Sequence, residues 1–232
     1  MSRIGLLALA AALAAGCGSG SASGHATVWV TRDRGSQVLH SAQVPAGLTA
    51  IQGLERVAKV KTRYGGRYVG AVDGVAEHGR ESWFYYVNGY LADQGAAEYR
   101  LHDGDVEWWD YRGWSDPSQD PVVVGAFPEP FLHGYGGKRR PTSVLYGAPR
   151  LRRGALAVGR LLHARFVGPM QSVRRKGDNL LLLLPRRGRP ELAQVGQATP
   201  PRPGGPVFFR FAGDPFELAR HPHMFRFRYS VR

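Results

Sequence analysis

Cysteine is almost missing from this chain: Cys17 is the single thiol in 232 residues. One thiol excludes a disulfide framework and a thiolate zinc cluster within the chain. Lysine is nearly as scarce, with Lys59, Lys61, Lys138 and Lys176 the full set, so arginine carries the excess of 31 Lys+Arg over 18 Asp+Glu. No apolar run reaches the roughly 18 residues of a spanning helix. Gly-x-Ser-x-Gly, His-Glu-x-x-His and Walker patterns are absent, as is any internal repeat. Gly 31 and Pro 16 stay below low-complexity levels.

What is present describes a folded chain. Hydrophobic residues make 43% and charged residues 21%, and the length suits one large domain or two small ones. The formal charge of +13 is unevenly placed. Through Asp120 there are 11 Lys+Arg against 13 Asp+Glu, and from Pro121 onward 20 against 5. That asymmetry predicts two units with different surfaces, the second facing an anionic partner such as anionic lipid or a wall polymer. No nucleic-acid partner is expected. Arginine suits a polyanion because its planar fork binds phosphate or carboxylate with two parallel bonds.

The first residues read as a targeting signal. Arg3 supplies a positive start, and Ile4 to Ala15 is an unbroken small and apolar stretch, too short to span a bilayer. It ends Leu13-Ala14-Ala15-Gly16-Cys17, and a Gly/Ser-rich run follows to Gly24. This resembles a bacterial lipobox, in which small residues precede a cysteine that is alkylated with diacylglycerol. The resemblance implies a signal peptide over 1–16, lipidation of Cys17 with a tether over 17–25, and an extracytoplasmic protein anchored to the cell membrane. Two acyl chains on one residue hold a protein stably where one does not.

From Ala26 the pattern becomes strand-like, with a turn at Arg32-Asp33-Arg34-Gly35 and a returning strand to Val44. Leu48, Ile51, Leu54, Val57 and Ala58 then line one helix face, with Thr49 as a candidate N-cap. Tyr68–Val72 is strand-like and Asp73-Gly74 a turn. Trp83-Phe84-Tyr85-Tyr86-Val87 runs into Asn88-Gly89 and Tyr90-Leu91, a type I′ hairpin signal, because both central residues must take positive φ. Asp103-Gly104-Asp105 turns the chain into a closing strand to Tyr111. Strands, one helix and further strands in about 90 residues describe an α+β, β-grasp-like fold.

The stretch Trp83 to Trp114, with its W-x-Y-Y-V-N-G hairpin, D-G-D turn and aromatic strand, resembles the transcobalamin-like C-terminal domain of bacterial secreted and lipid-anchored proteins. The likeness covers roughly Ala26 to Trp114. It implies a β-grasp domain and, as ligand, a corrinoid such as cobalamin or another large planar or glycan-like molecule. The larger helical domain that holds the corrinoid in animal carriers has no counterpart here. Trp83, Tyr85 and Val87 share one strand face, Phe84, Tyr86 and Asn88 the other, and Trp108 and Trp109 point to opposite faces. One set builds the core; the other packs under the second domain or forms a ligand platform. The candidate ligand contacts are Trp83, Tyr85, Tyr86, Asn88, Trp108 and Trp109.

Residues 115–121 read as a linker and 122–232 as a basic α/β or α+β domain with a mixed sheet. Strands are predicted over Val122–Phe127, Ser143–Tyr146, Asn179–Leu184, Val207–Ala212 and Met224–Val231, and a helix over Arg150–Phe166. In the last strand Phe225, Phe227, Tyr229 and Val231 face inward and Arg226, Arg228 and Arg232 outward. With Arg210 these arginines are the candidate contacts to an anionic surface. His221-Pro222-His223 reads as a surface turn rather than a metal pair. The reading is a non-catalytic, lipid-anchored binding module without metal or cofactor. The alternative is an envelope adaptor docking through arginine. An enzyme would need His133, His163, Asp178 or Asp214 to converge with a nucleophile.

Overall fold

The computed structural model describes residues 24–114, 120–172, 176–197 and 201–229. The signal segment, Cys17, most of the linker, Val231 and Arg232 lie outside them. The chain is α+β, built on three sheets.

The first sheet has the order β2-β1-β8-β6-β7. β1 (His25–Arg32) and β2 (Gln37–Pro45) form a hairpin, β6 (Glu81–Val87) and β7 (Tyr90–Leu91) a second, and β8 (Val106–Gly113) joins them. β8 runs parallel to β1 and antiparallel to β6. Asn88 at φ 49° and Gly89 at φ 86° make the turn the sequence predicts. The helix is shorter than its apolar spacing suggests: α1 covers Ala50–Glu55. Thr49 caps it in a capping box with Gln52, and Val57 and Ala58 belong to the turn leading into β3 (Val60–Arg63). β3, β4 (Tyr68–Val72) and β5 (Val75–Ala76) form a small antiparallel sheet.

The third sheet has the order β10-β9-β11-β13-β12. β9 (Thr142–Tyr146), β10 (Phe166–Pro169), β11 (Asn179–Leu184) and β13 (Val207–Ala212) are parallel, and β12 (Glu191–Gln197) is an antiparallel edge. The Leu run of β11 is central, as an unbroken apolar strand requires. Helix α3 (Arg152–Leu161) buries Ala155 and Val158 and exposes Arg152, Arg153 and Arg160. It stops earlier than predicted, because His163 takes φ 47° and Phe166 opens β10. Helix α4 (Pro215–Arg220) sits against α3 where Gly154 leaves no room for a side chain beside Pro215.

Two predicted strands are not strands. Residues 122–127 are buried as expected, but Val122 makes one bridge to Tyr90 and Val124–Ala126 is a 3-10 turn. With no partner strand alongside, the backbone satisfies itself locally, as in Phe127 N–H to Val124 C=O at 2.9 Å. Residues 224–229 likewise form successive turns, such as Arg228 N–H to Phe225 C=O at 3.1 Å. Their side chains still alternate, with Phe225 and Tyr229 buried and Arg226 and Arg228 exposed. The short α2 (Glu129–Leu132) follows the 3-10 turn and packs Phe131 against Phe209 of β13, ring centroids 5.4 Å apart.

One apolar core runs through both units, from Val28, Leu54, Trp83 and Trp109 to Leu181, Phe209, Phe211 and Leu218. A second, smaller core lies on the opposite face of the first sheet. There Trp29, Phe84, Tyr86, Val106 and Trp108 are covered by Val123, Ala126, Phe227 and Tyr229.

Candidate functional site

The aromatic residues proposed as a ligand platform are packing residues. Trp83, Tyr86, Asn88, Trp108 and Trp109 are all buried, and Tyr85 alone is half-buried. They divide between faces as the alternation predicts: Trp83, Tyr85 and Trp109 join the main core, Tyr86 and Trp108 the smaller one. Tyr85 stacks on Trp109 with ring centroids 4.9 Å apart, and Trp108 meets Tyr229 at 5.2 Å. The physical reason is coverage. The 122–127 and 225–229 segments cover Trp29, Tyr86 and Trp108 on the outer face, and Trp114 stands exposed at its edge against Phe84, ring centroids 5.2 Å apart.

Several buried polar groups of the first sheet are matched to one another, while Trp29 Nε1 is buried without a partner. Asn88 donates to Asp105 at 2.7 Å and to the Gly134 carbonyl at 3.1 Å, and accepts from Val106 N–H at 2.7 Å. Asp110 accepts from Gly35 and Arg34 backbone N–H and from the Tyr229 hydroxyl at 3.0 Å. Burial raises its pKa against those bonds. Glu107 is fully buried; desolvation pushes its carboxyl well above the usual range, opposed by the bond from Trp109 Nε1. Its Oε2 has no hydrogen-bond partner.

Of the arginines proposed for an anionic surface, Arg210, Arg226 and Arg228 lie within the described residues. Arg210 and Arg186 both pair with Glu191 of β12. Arg226 lies over the Trp29 ring at 4.5 Å and donates to Ser41 Oγ at 2.6 Å, while Arg228 is exposed on the same closing segment. Arg232 is outside the described residues. The four residues an enzyme would need are also apart in role. His133 bonds Glu129 at 2.6 Å, which raises its pKa, and His163 is exposed. Asp178 pairs with Arg165 and accepts from Ser143, and Asp214 caps α4. His221 and His223 are exposed turn residues. Among the described residues no group of three His, Cys, Asp or Glu is placed to hold a metal ion.

A different site is assembled at the seam of the two units. A cleft of about 600 Å³ is lined by Asp93 and Gln94 from one side and Tyr135, Lys138, Arg139, Arg140 and Arg202 from the other. The seam is fixed by bonds across it: Tyr135 hydroxyl to Asp93 Oδ1 at 2.9 Å, Gly136 N–H to Tyr99 Oη at 3.1 Å, and Tyr90 hydroxyl to the Gly205 carbonyl at 3.1 Å. Desolvation raises the pKa of Tyr90, Tyr99 and Tyr135, so their hydroxyls stay neutral donors. Arg140 is held by the Gly204 carbonyl and, at 3.2 Å, the Gly177 carbonyl. The sequence reading missed this site. Its one local signal is the run Lys138-Arg139-Arg140, and the rest is contributed from positions far apart in the chain.

Residues 47–113 match the model of a family described as a domain of unknown function (DUF4430), a transcobalamin-like family. Among solved structures, one of a Ruminococcus gnavus ATCC 29149 protein described as a "putative metal binding protein" is similar. It is 18% identical, with a TM-score of 0.32, over 39% of this chain and 97% of that one. A search of curated proteins returned no match. The family match falls on the first unit, where the hairpin and D-G-D turn carry the resemblance.

Proposed function

We propose that this chain is a non-catalytic binding module of the cell envelope, extracytoplasmic and lipid-anchored through Cys17, that takes its ligand at the seam rather than on the β-grasp aromatics. The observation that carries the ligand side is the cleft: open and cation-lined, where two units share one core. The covered outer face withholds Trp29, Tyr86 and Trp108 from a flat corrinoid. A second reading, docking through Arg210, Arg226 and Arg228, is less supported because Arg210 pairs with Glu191 and Arg226 with Ser41.

The anchor is tested by Cys17→Ser in the full chain. The native chain should enter the detergent phase and carry the mass of a diacylglyceryl group at Cys17. The variant lacks the thiolate to alkylate and should fractionate with the aqueous phase. A variant that stays membrane-bound in high salt overturns the anchor. On the ligand side, cobalamin at tens of micromolar should give no saturable quenching of tryptophan fluorescence. Saturable quenching would return the corrinoid reading.

A further inference from the structure

We infer that the seam cleft binds a compact polyanion carrying adjacent phosphoryl groups, of the diphosphate class; this deepens the binding-module reading and rests on it. Four cations line the cleft, Lys138, Arg139, Arg140 and Arg202. Among the described residues, ion pairs occupy Arg34, Arg63, Arg67, Arg165, Arg186 and Arg210, yet none joins a cleft cation to a carboxylate. The one carboxylate of the lining, Asp93, already accepts from Tyr135. Four cations less one carboxylate leave a formal +3.

That charge selects the ligand class. A single phosphate monoester brings about −1.5 to −2 at neutral pH, so one phosphoryl group leaves the cleft under-neutralised and two balance it. The cavity is of small-ligand size, within the range of about 300–1,000 Å³. Guanidinium forks bind phosphate oxygens with paired bonds, and the compact ammonium of Lys138 adds a point charge.

The Arg140 guanidinium and the backbone that carries the other three cations are placed before a ligand arrives. Arg140 is oriented by two backbone carbonyls, Gly204 and Gly177. Lys138 and Arg139 leave a tight turn closed by Lys138 N–H to Tyr135 C=O at 3.1 Å. The Arg202 backbone is held by the Gln197 side chain at 2.7 Å and by Gly205 N–H at 3.0 Å. Gly136, at φ 60°, leaves that wall without a side chain. Organised cations need less ordering on binding.

The test is calorimetric titration of the purified full chain with inorganic pyrophosphate. The native chain should bind saturably, and Arg139→Glu/Arg202→Glu should lose about tenfold or more in affinity. Arg152→Glu/Arg153→Glu makes the same charge change on the exposed face of α3 and should bind like the native chain. Equal losses in both pairs would reduce the effect to the overall positive charge and overturn the site. No saturable binding at millimolar pyrophosphate also overturns it. So does binding to phosphatidylglycerol vesicles without pyrophosphate binding, which assigns the cations to a lipid surface. None of these outcomes alters the mass found at Cys17, so the two readings fail separately.

Discussion

The first and third sheets solve the same problem with different materials. The first is aromatic on both faces and threaded with buried carboxylates, Asp105, Glu107 and Asp110. The third is a parallel sheet with a leucine strand at its centre, covered by the helix that joins β9 to β10 and by α4. The third sheet is packed by nearby chain, with α3 against β9 and β10 and Phe131 of α2 against Phe209. The outer face of the first is not: Val123, Ala126, Phe227 and Tyr229 come from beyond the linker. Aromatic residues with polar tips suit such borrowed cover, because the tip finds a partner while the ring is buried. The difference teaches that a sheet of large rings needs distant chain to finish it, and that it therefore ends up closed.

The strongest way to break this contrast is at Trp108, which is fully buried. Trp108→Ala should cost about 3–5 kcal/mol by chemical denaturation, since it empties the smaller core and removes the bond that Trp108 Nε1 donates to the Thr31 hydroxyl. A loss under about 1 kcal/mol would mean the outer face is not a true core.

A sharper probe is Gly125, whose added Cβ would collide with the Arg228 backbone without any positive-φ strain. Gly125→Ala should unseat the closing segment and redden tryptophan emission, at a cost of about 1–3 kcal/mol. Unchanged emission would show that the segment does not cover Trp29 and Trp108.

The smallest expected effect is at Glu107, and it depends on pH. Its native pKa is raised, so its protonated form is favoured by folding. Stability is therefore fully present below the ordinary carboxylate pKa, about 4.3, and falls as pH climbs toward the raised native value. Glu107→Gln keeps an acceptor for Trp109 and carries no charge. It should raise the melting temperature at pH 7 and lose that advantage near pH 4. An equal shift at both pH values would deny the buried charge.

How much of this could be read in the sequence follows the same division. The Asn88-Gly89 hairpin, the Thr49 cap and the β11 leucine run were legible because each is set by neighbours in the chain or by unbroken burial. Face assignment at Trp83, Tyr86, Trp108 and Trp109 was legible too, since alternation fixes which side a ring leaves. Which side was open was not, because its cover arrives from the 122–127 and 225–229 segments, the latter about 200 positions from Trp29. Val122–Phe127 and 224–229 carry strand-like patterns, yet they are single lids without a partner strand, and periodicity reports burial rather than pairing. The cleft escaped for a similar reason: only Lys138-Arg139-Arg140 are contiguous, and Asp93 and Arg202 reach it through the tertiary fold.

The 225–229 segment has a consequence in time. Chains emerge from the ribosome N-terminus first at about 5–20 residues per second. Trp29 is therefore made about 200 residues before the Phe227 ring that meets it at 4.8 Å. Until then Trp29 and Trp108 lack the part of their outer cover that Phe227 and Tyr229 supply. Contacts of such long sequence separation form late in folding. The outer rings of the first sheet therefore wait for the 225–229 segment before their cover is complete.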